Sequence, residues 1–249
     1  MSPCRLAVAA IRCAVTMAAA SSLFPGEPAF ALERTLARAP DHAPDEWASA
    51  ATCTVRYYNN CTGWVWAWSG WEFKELAGST FHGCCDEAVL KLTNHLTFSG
   101  VPAGYQPYPG TISVYAADAD ECAVGPPLAS QAWDPPATAS WGTKYWDIPV
   151  PRDFVVRIMW GGFSGFTDAT GLASDRPAAG PTGPQACGRC FSSTRLTHSY
   201  RWGIEGAPFC PGVKLDDGVC DEEFMLDAQL SCSVHLEPRS WGRIKTLYR

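Results

Sequence analysis

The run Cys61-Thr62-Gly63-Trp64-Val65-Trp66-Ala67-Trp68-Ser69-Gly70-Trp71 decides the fold class. Trp64, Trp66 and Trp68 alternate with Val65 and Ala67, which is a period of two. On a β-strand that period sends all three indoles to one face and the small residues to the other, whereas a helix would scatter the rings around its circumference. The run is therefore a strand. Its rings can either fill a core or form a platform for a ligand. A two-sheet core is only about 10 Å thick, so three indoles on one strand need small residues opposite them.

Working outward, the same alternation recurs. Residues 53–58 form a short strand that ends in the turn Asn59-Asn60. Residues 89–98 form another, with Leu90, Leu92 and Leu96 as apolar positions, and 100–110 read as a loop carrying Tyr105 and Tyr108. Thr111-Ile112-Ser113-Val114-Tyr115 alternates cleanly, with Ile112 and Val114 facing inward. Residues 144–150 and 154–160 are two strands joined through Pro149-Val150-Pro151-Arg152. In the second, Phe154, Val156, Ile158 and Trp160 share a face opposite Arg157 and Met159. Residues 161–185 read as a loop, and strands at 196–202 and 224–230 complete the set. Short strands separated by Gly/Pro-rich connections imply an all-β sandwich or barrel. The long connections favour a jelly-roll-like two-sheet sandwich, with an immunoglobulin-like sandwich as the alternative.

Composition bounds the compartment and the partners. Charged residues make up 18% of the 249, hydrophobic ones 47%, and the formal charge is −6. Enough apolar surface is present for a sizeable core. No basic cluster is present, which argues against nucleic acid. Residues 1–31 read as a signal peptide: Arg5 and Arg12 precede an apolar stretch over 13–23, and Ala29-Phe30-Ala31 is a cleavage site. The apolar stretch is shorter than the ~20 residues a span requires, and no transmembrane segment is expected. Cleavage after Ala31 removes Cys4 and Cys13 and leaves Cys53, Cys61, Cys84, Cys85, Cys122, Cys187, Cys190, Cys210, Cys220 and Cys232. An even number in an exported chain implies a disulfide framework. Cys84 and Cys85 are adjacent, so each is expected to bond elsewhere and pin one strand to two neighbours. Residues 32–51 read as a flexible leader, 52–234 as the sandwich domain, and 235–249 as a tail. That tail is a short docked helix starting at Ser240 or a sorting signal.

Several stretches resemble a known group: the signal peptide, residues 110–120, the Pro149-Val150-Pro151 junction and the end Ser240-Trp241-Gly242-Arg243-Ile244-Lys245. Together they resemble secreted β-sandwich proteins of uncultured bacteria, over most of residues 52–249. That group carries no assigned activity, so the resemblance implies location and architecture. The strand pattern is also similar to jelly-roll accessory domains of secreted enzymes, which implies carbohydrate as a ligand class.

No catalytic signature accompanies the fold. Gly162-Phe163-Ser164-Gly165 is one residue short of a nucleophile elbow. Cys187-Gly188-Arg189-Cys190 has no matching second pair for zinc and reads as disulfide-forming. His82, His95, His198 and His235 are scattered; two or three could converge on a metal in a folded sandwich, but no metal-binding spacing supports it. Exposed aromatics are the candidate ligand-binding residues: Trp71, Tyr105 and Tyr108 first, then Trp64, Trp66 and Trp68. Asp118, Asp120 and Glu121 could supply oxygen ligands to a structural calcium, with solvated turn carboxylates the plainer reading. No other cofactor is expected. The expectation is an exported binding or cell-surface protein, secreted or periplasmic, that takes a polysaccharide or surface glycan. The alternatives are a glycoside-active sandwich using a carboxylate pair and a purely structural surface or matrix component.

Overall fold

The computed structural model describes residues 33–40, 52–58, 63–71, 73–98, 109–135, 139–161, 171–175, 198–202, 212–215 and 222–232. The chain divides into two units, Met1–Phe30 and Ala31–Arg249, and the described residues belong to the second. They form thirteen strands: β1 (Glu33–Arg38), β2 (Thr52–Arg56), β3 (Trp64–Ser69), β4 (Leu76–His82), β5 (Ala88–Phe98), β6 (Gly110–Ala117), β7 (Ala123–Trp133), β8 (Ser140–Val150), β9 (Asp153–Met159), β10 (Gly171–Asp175), β11 (Ser199–Trp202), β12 (Val213–Lys214) and β13 (Leu226–Cys232). All the pairings among them are antiparallel.

The topology follows from eight of these strands. In chain order, β2 pairs with β13, β4 with β9, β5 with β8, and β6 with β7. The first strand thus meets the last, the second meets the seventh, and so on inward to a hairpin. The four pairs alternate between two sheets. A front sheet runs β2-β13-β5-β8 and a back sheet β4-β9-β6-β7. A long antiparallel ribbon folded across itself in this way is a jelly roll, and the immunoglobulin alternative falls away. On the front sheet β10, β3 and β1 add a wing, and on the back sheet β11 and β12 extend beyond β4.

Five strands lie outside the sequence expectation. β1 falls in the stretch read as a leader; its charged composition hides the alternation, yet its backbone completes the free edge of β3, with Leu36 opposite Trp66. β10 lies in the expected loop; it is five residues long and buried throughout, so it shows no alternation. β4 is rich in small and polar residues, β12 has two residues, and β7 carries Pro126-Pro127. Proline is tolerated in β7 because β7 lies at a sheet edge.

The inward faces of both sheets close on one apolar core. Phe81, Ile112, Val114, Phe154, Val156 and Ile158 come from the back sheet, and Leu90, Trp146, Leu226, Ala228 and Leu230 from the front. Trp71 stacks on Trp160 with centroids 4.1 Å apart, and Trp133 meets Trp160 edge-on at 5.5 Å. A register shift between Leu90 and Leu92 changes which β5 residues face inward. Leu90 faces the core before it, and Thr93 and His95 bond core indoles after it. Leu96 and Phe98 consequently point outward, where Val65, Ala67, Ala173, Met225 and Tyr58 form a second apolar cluster with them.

Two bridges lock the place where the chain leaves β4 for β5. Cys84 bonds Cys53 on β2, and Cys85 bonds Cys232 at the end of β13. The adjacent cysteines therefore bond two neighbouring strands, as their adjacency implies, but they do so from the connection between β4 and β5 and not from within a strand. Cys122 is also disulfide-bonded. Cys61, Cys187, Cys190, Cys210 and Cys220 lie outside the described residues, as do residues 1–31, read as a signal peptide, and residues 235–249, read as a tail.

Candidate functional site

The aromatic candidates separate in the fold. Trp71 is fully buried, donates its indole N–H to the Trp68 carbonyl at 3.0 Å, and belongs to the core. This corrects its expected exposure: the residue after Gly70 turns inward onto Trp160, where stacking and burial both favour it. Trp64, Trp66 and Trp68 share a face of β3 and are each half-buried, while Val65 and Ala67 on the opposite face are fully buried. Trp68 packs against the main core and donates to Ser174 Oγ at 2.8 Å. Trp64 carries the Arg38 guanidinium over its ring at 5.3 Å. Tyr105 and Tyr108 lie outside the described residues.

A different surface collects groups suited to a ligand. On the outer face of the front sheet, residues paired strand to strand form a row: Arg56 opposite Asp227, Asp227 opposite Asn94, and Asn94 opposite Thr143. The row is hydrogen-bonded from Thr143 to Asp227. Thr143 Oγ1 donates to Asn94 Oδ1 at 2.8 Å, Asn94 Nδ2 to Asp227 Oδ1 at 2.8 Å, and Tyr58 OH to Asp227 Oδ2 at 2.8 Å. Burial, and then the Asp227 carboxylate, push the Tyr58 phenol up, so it stays a donor. The next row holds Thr54, Gln229, Leu92 and Tyr145. Tyr145 is 73% exposed, because its neighbour Trp146 takes the inward position. Alternation within 144–150 could have singled out Tyr145 in the sequence: with Trp146 and Ile148 inward, Tyr145 must point out.

The back sheet carries a second cluster on its outer face. His82 at the end of β4 lies opposite Asp153 on β9, and His198 precedes β11, whose Ser199 pairs with Ser79 on β4. The turn between β6 and β7 brings in Glu121. Its Oε1 is 3.6 Å from His82 Nε2 and 3.7 Å from His198 Nδ1. The Tyr57 ring stacks on His198 at 3.9 Å. The Tyr57 phenol is pushed up first by burial, and the charges of Glu223, Glu121 and Asp153 add to this against the amide of His82.

The expected calcium turn is organised differently. Asp118 Oδ1 accepts from the amides of Asp120 at 3.0 Å and Cys122 at 2.9 Å, which folds the turn on itself. Asp120 is exposed, and Glu121 turns away toward the two histidines. The three carboxylates therefore do not converge, because the Asp118 side chain is used by its own backbone. Glu222 and Glu223 are buried and structural: Ser174 Oγ donates to Glu222, and the His198 amide and Ser199 hydroxyl donate to Glu223.

No protein-family model matches the chain, and no curated protein matches it. Among solved structures it is similar to the cysteine protease and lectin-like domains of Cwp84, a surface-layer-associated protein of Clostridium difficile. The TM-score is 0.43 at 11% identity, over 74% of this chain and 37% of that one. The chain thus spans little more than a third of the length of that protein's structure.

Proposed function

We propose that this chain is an exported, non-catalytic binding module whose ligand is a glycan and whose docking surface is the outer face of the front sheet. The observation that carries the reading is Tyr145, 73% exposed beside the row Arg56, Asp227, Asn94 and Thr143. A pyranose offers an apolar ring face and a rim of hydroxyls that both donate and accept. A flat phenol answers the first, and the Asn94 amide, the Thr143 hydroxyl and the Arg56 guanidinium answer the second, with the buried Asp227 carboxylate holding Asn94 from beneath. Mutual hydrogen bonds hold Asn94 and Asp227 in place before a ligand arrives, so less ordering is required on binding. The signal-peptide reading of residues 1–31 and the disulfides at Cys53, Cys84, Cys85 and Cys232 support export to an oxidising compartment.

One stacked tyrosine buries about 100 Å² of ring, or about 2.5 kcal/mol before the costs of association. A single site is therefore weak, which suits an insoluble polymer that presents many copies. The test is a pull-down on cellulose, xylan, chitin and peptidoglycan with wild type, Tyr145→Ala, Asn94→Ala and Trp66→Ala. Retention of wild type and Trp66→Ala, with loss for Tyr145→Ala and Asn94→Ala, supports the outer face. Loss in Trp66→Ala alone moves the site to the β3 tryptophans, and no retention on any polymer removes the glycan reading.

A further inference from the structure

We propose that His82, Glu121 and His198 bind a divalent transition-metal ion of the zinc type on the outer face of the back sheet, at a site separate from the glycan face. The three residues each offer one ligand atom, and these atoms all lie within 4.8 Å of one another. Two imidazoles and one carboxylate suit zinc, cobalt, nickel or copper, and not calcium or magnesium, which take oxygen ligands. Around a tetrahedral zinc with bonds near 2.0–2.1 Å, neighbouring ligand atoms sit about 3.3 Å apart. The two separations from Glu121 Oε1, 3.6 and 3.7 Å, need to contract by only a few tenths of an ångström.

The groups behind the ligands have the arrangement a metal site requires. His82 Nδ1 lies 2.8 Å from Asp153 Oδ1. With that nitrogen donating to the carboxylate, Nε2 keeps its lone pair and faces Glu121; such carboxylate partners fix tautomer and orientation in metal-binding histidines. Glu121 Oε2 accepts from the Tyr200 hydroxyl, leaving Oε1 for the ion. Tyr57 stacked on His198 fixes the plane of the third ligand. Glu121 itself holds a left-handed backbone (φ 63°) that a glycine would adopt more readily. It is kept there by its amide on the Asp118 carbonyl and by Thr80 Oγ1 on its own carbonyl. The negative groups Glu121, Asp153 and Glu223 that surround Tyr57 favour a cation. His82 is exposed at the solvent side, so a fourth position stays open to water or to a ligand.

The ligands come from three places that only the fold joins, and the ion would tie the β6–β7 turn to β4 and to the start of β11. The experiment is calorimetric titration of the fully oxidised chain with zinc chloride in chelator-free buffer. Cobalt binding is read in parallel from its visible absorption. One zinc per chain is expected, insensitive to excess calcium or magnesium. His82→Ala and Glu121→Gln should each weaken binding at least about tenfold, and Asp153→Asn about tenfold through loss of orientation. His82 is at the surface, and circular dichroism checks that each variant is folded. Absence of stoichiometric binding overturns the proposal, as does binding of equal strength in wild type, His82→Ala and Glu121→Gln. Zinc binding that appears only after the disulfides are reduced also overturns it.

Discussion

Lowering the pH should destabilise this sandwich through one buried imidazole. His95 on β5 is 2% exposed and faces the core, where Trp133 Nε1 donates to its Nε2 at 2.8 Å. Nε2 must be unprotonated to accept, so the folded state holds His95 neutral. Burial pushes its pKa down from 6.5 to about 4; the positive charge of Lys144 adds to this and Asp227 opposes it. The folded pKa is thus below the unfolded one. As pH falls the unfolded chain takes up the proton first, so the contribution is fully present above about pH 6.5 and is lost progressively down to about pH 4. At 1.36 kcal/mol per pH unit, the full loss is about 3 kcal/mol. Other groups titrate in the same window, so the comparison is with His95→Gln, whose amide oxygen can accept from Trp133 but does not titrate. Denaturant unfolding of both proteins at several pH values gives the difference directly. The wild type should lose about 3 kcal/mol relative to the variant between about pH 6.5 and pH 4. Parallel profiles would refute the placement of a neutral His95 in the core.

Other outcomes follow from packing and covalent links. Gly142 lies opposite His95, and a Cβ there would sit 2.6 Å from its Nε2; Gly142→Ala should cost about 1–3 kcal/mol in denaturant unfolding. The Cys53–Cys84 and Cys85–Cys232 bridges close stretches of 31 and 147 residues. Taken singly these restrict the unfolded chain by about 4 and about 5 kcal/mol, so reduction should lower the melting temperature sharply, and an unchanged transition after verified reduction would contradict the stapling. On the back sheet Arg157 lies over the Trp202 ring at 4.3 Å and the Tyr115 ring at 5.2 Å; Arg157→Ala should destabilise by about 1–2 kcal/mol, and Arg157→Lys should restore part of it.

Where apolar and polar residues alternate, the strands are legible in the chain. The runs around Ile112, Phe154 and Ala228 all lie within strands or at their ends. The paired placement of Cys84 and Cys85 is legible too, because adjacent cysteines on one backbone cannot easily bond each other. β4 and β10 are not, because one is small and polar and the other is buried on every residue. Alternation identifies the shared face of Trp64, Trp66 and Trp68 but not which face the sandwich uses. The shift at Lys91 changes the inward residues of β5 without any local signal. The metal cluster is the least legible element. His82, Glu121 and His198 lie far apart in the chain and converge only through the pairing of β4 with β11 and β9, and of β9 with β6. The outward direction of Tyr145 could be read from Trp146, but its polar neighbours on β2, β5 and β13 require the strand order.

The most direct test of a glycan-binding front sheet is a nuclear magnetic resonance titration of the labelled chain with soluble cello-, xylo- and chito-oligosaccharides. The expected result is saturable shift changes confined to Arg56, Asn94, Thr143, Tyr145 and Gln229, with Trp71, Trp133 and the back sheet unmoved. Shift changes centred on the indoles of Trp64, Trp66 and Trp68, or no saturable change with any oligosaccharide, would contradict it.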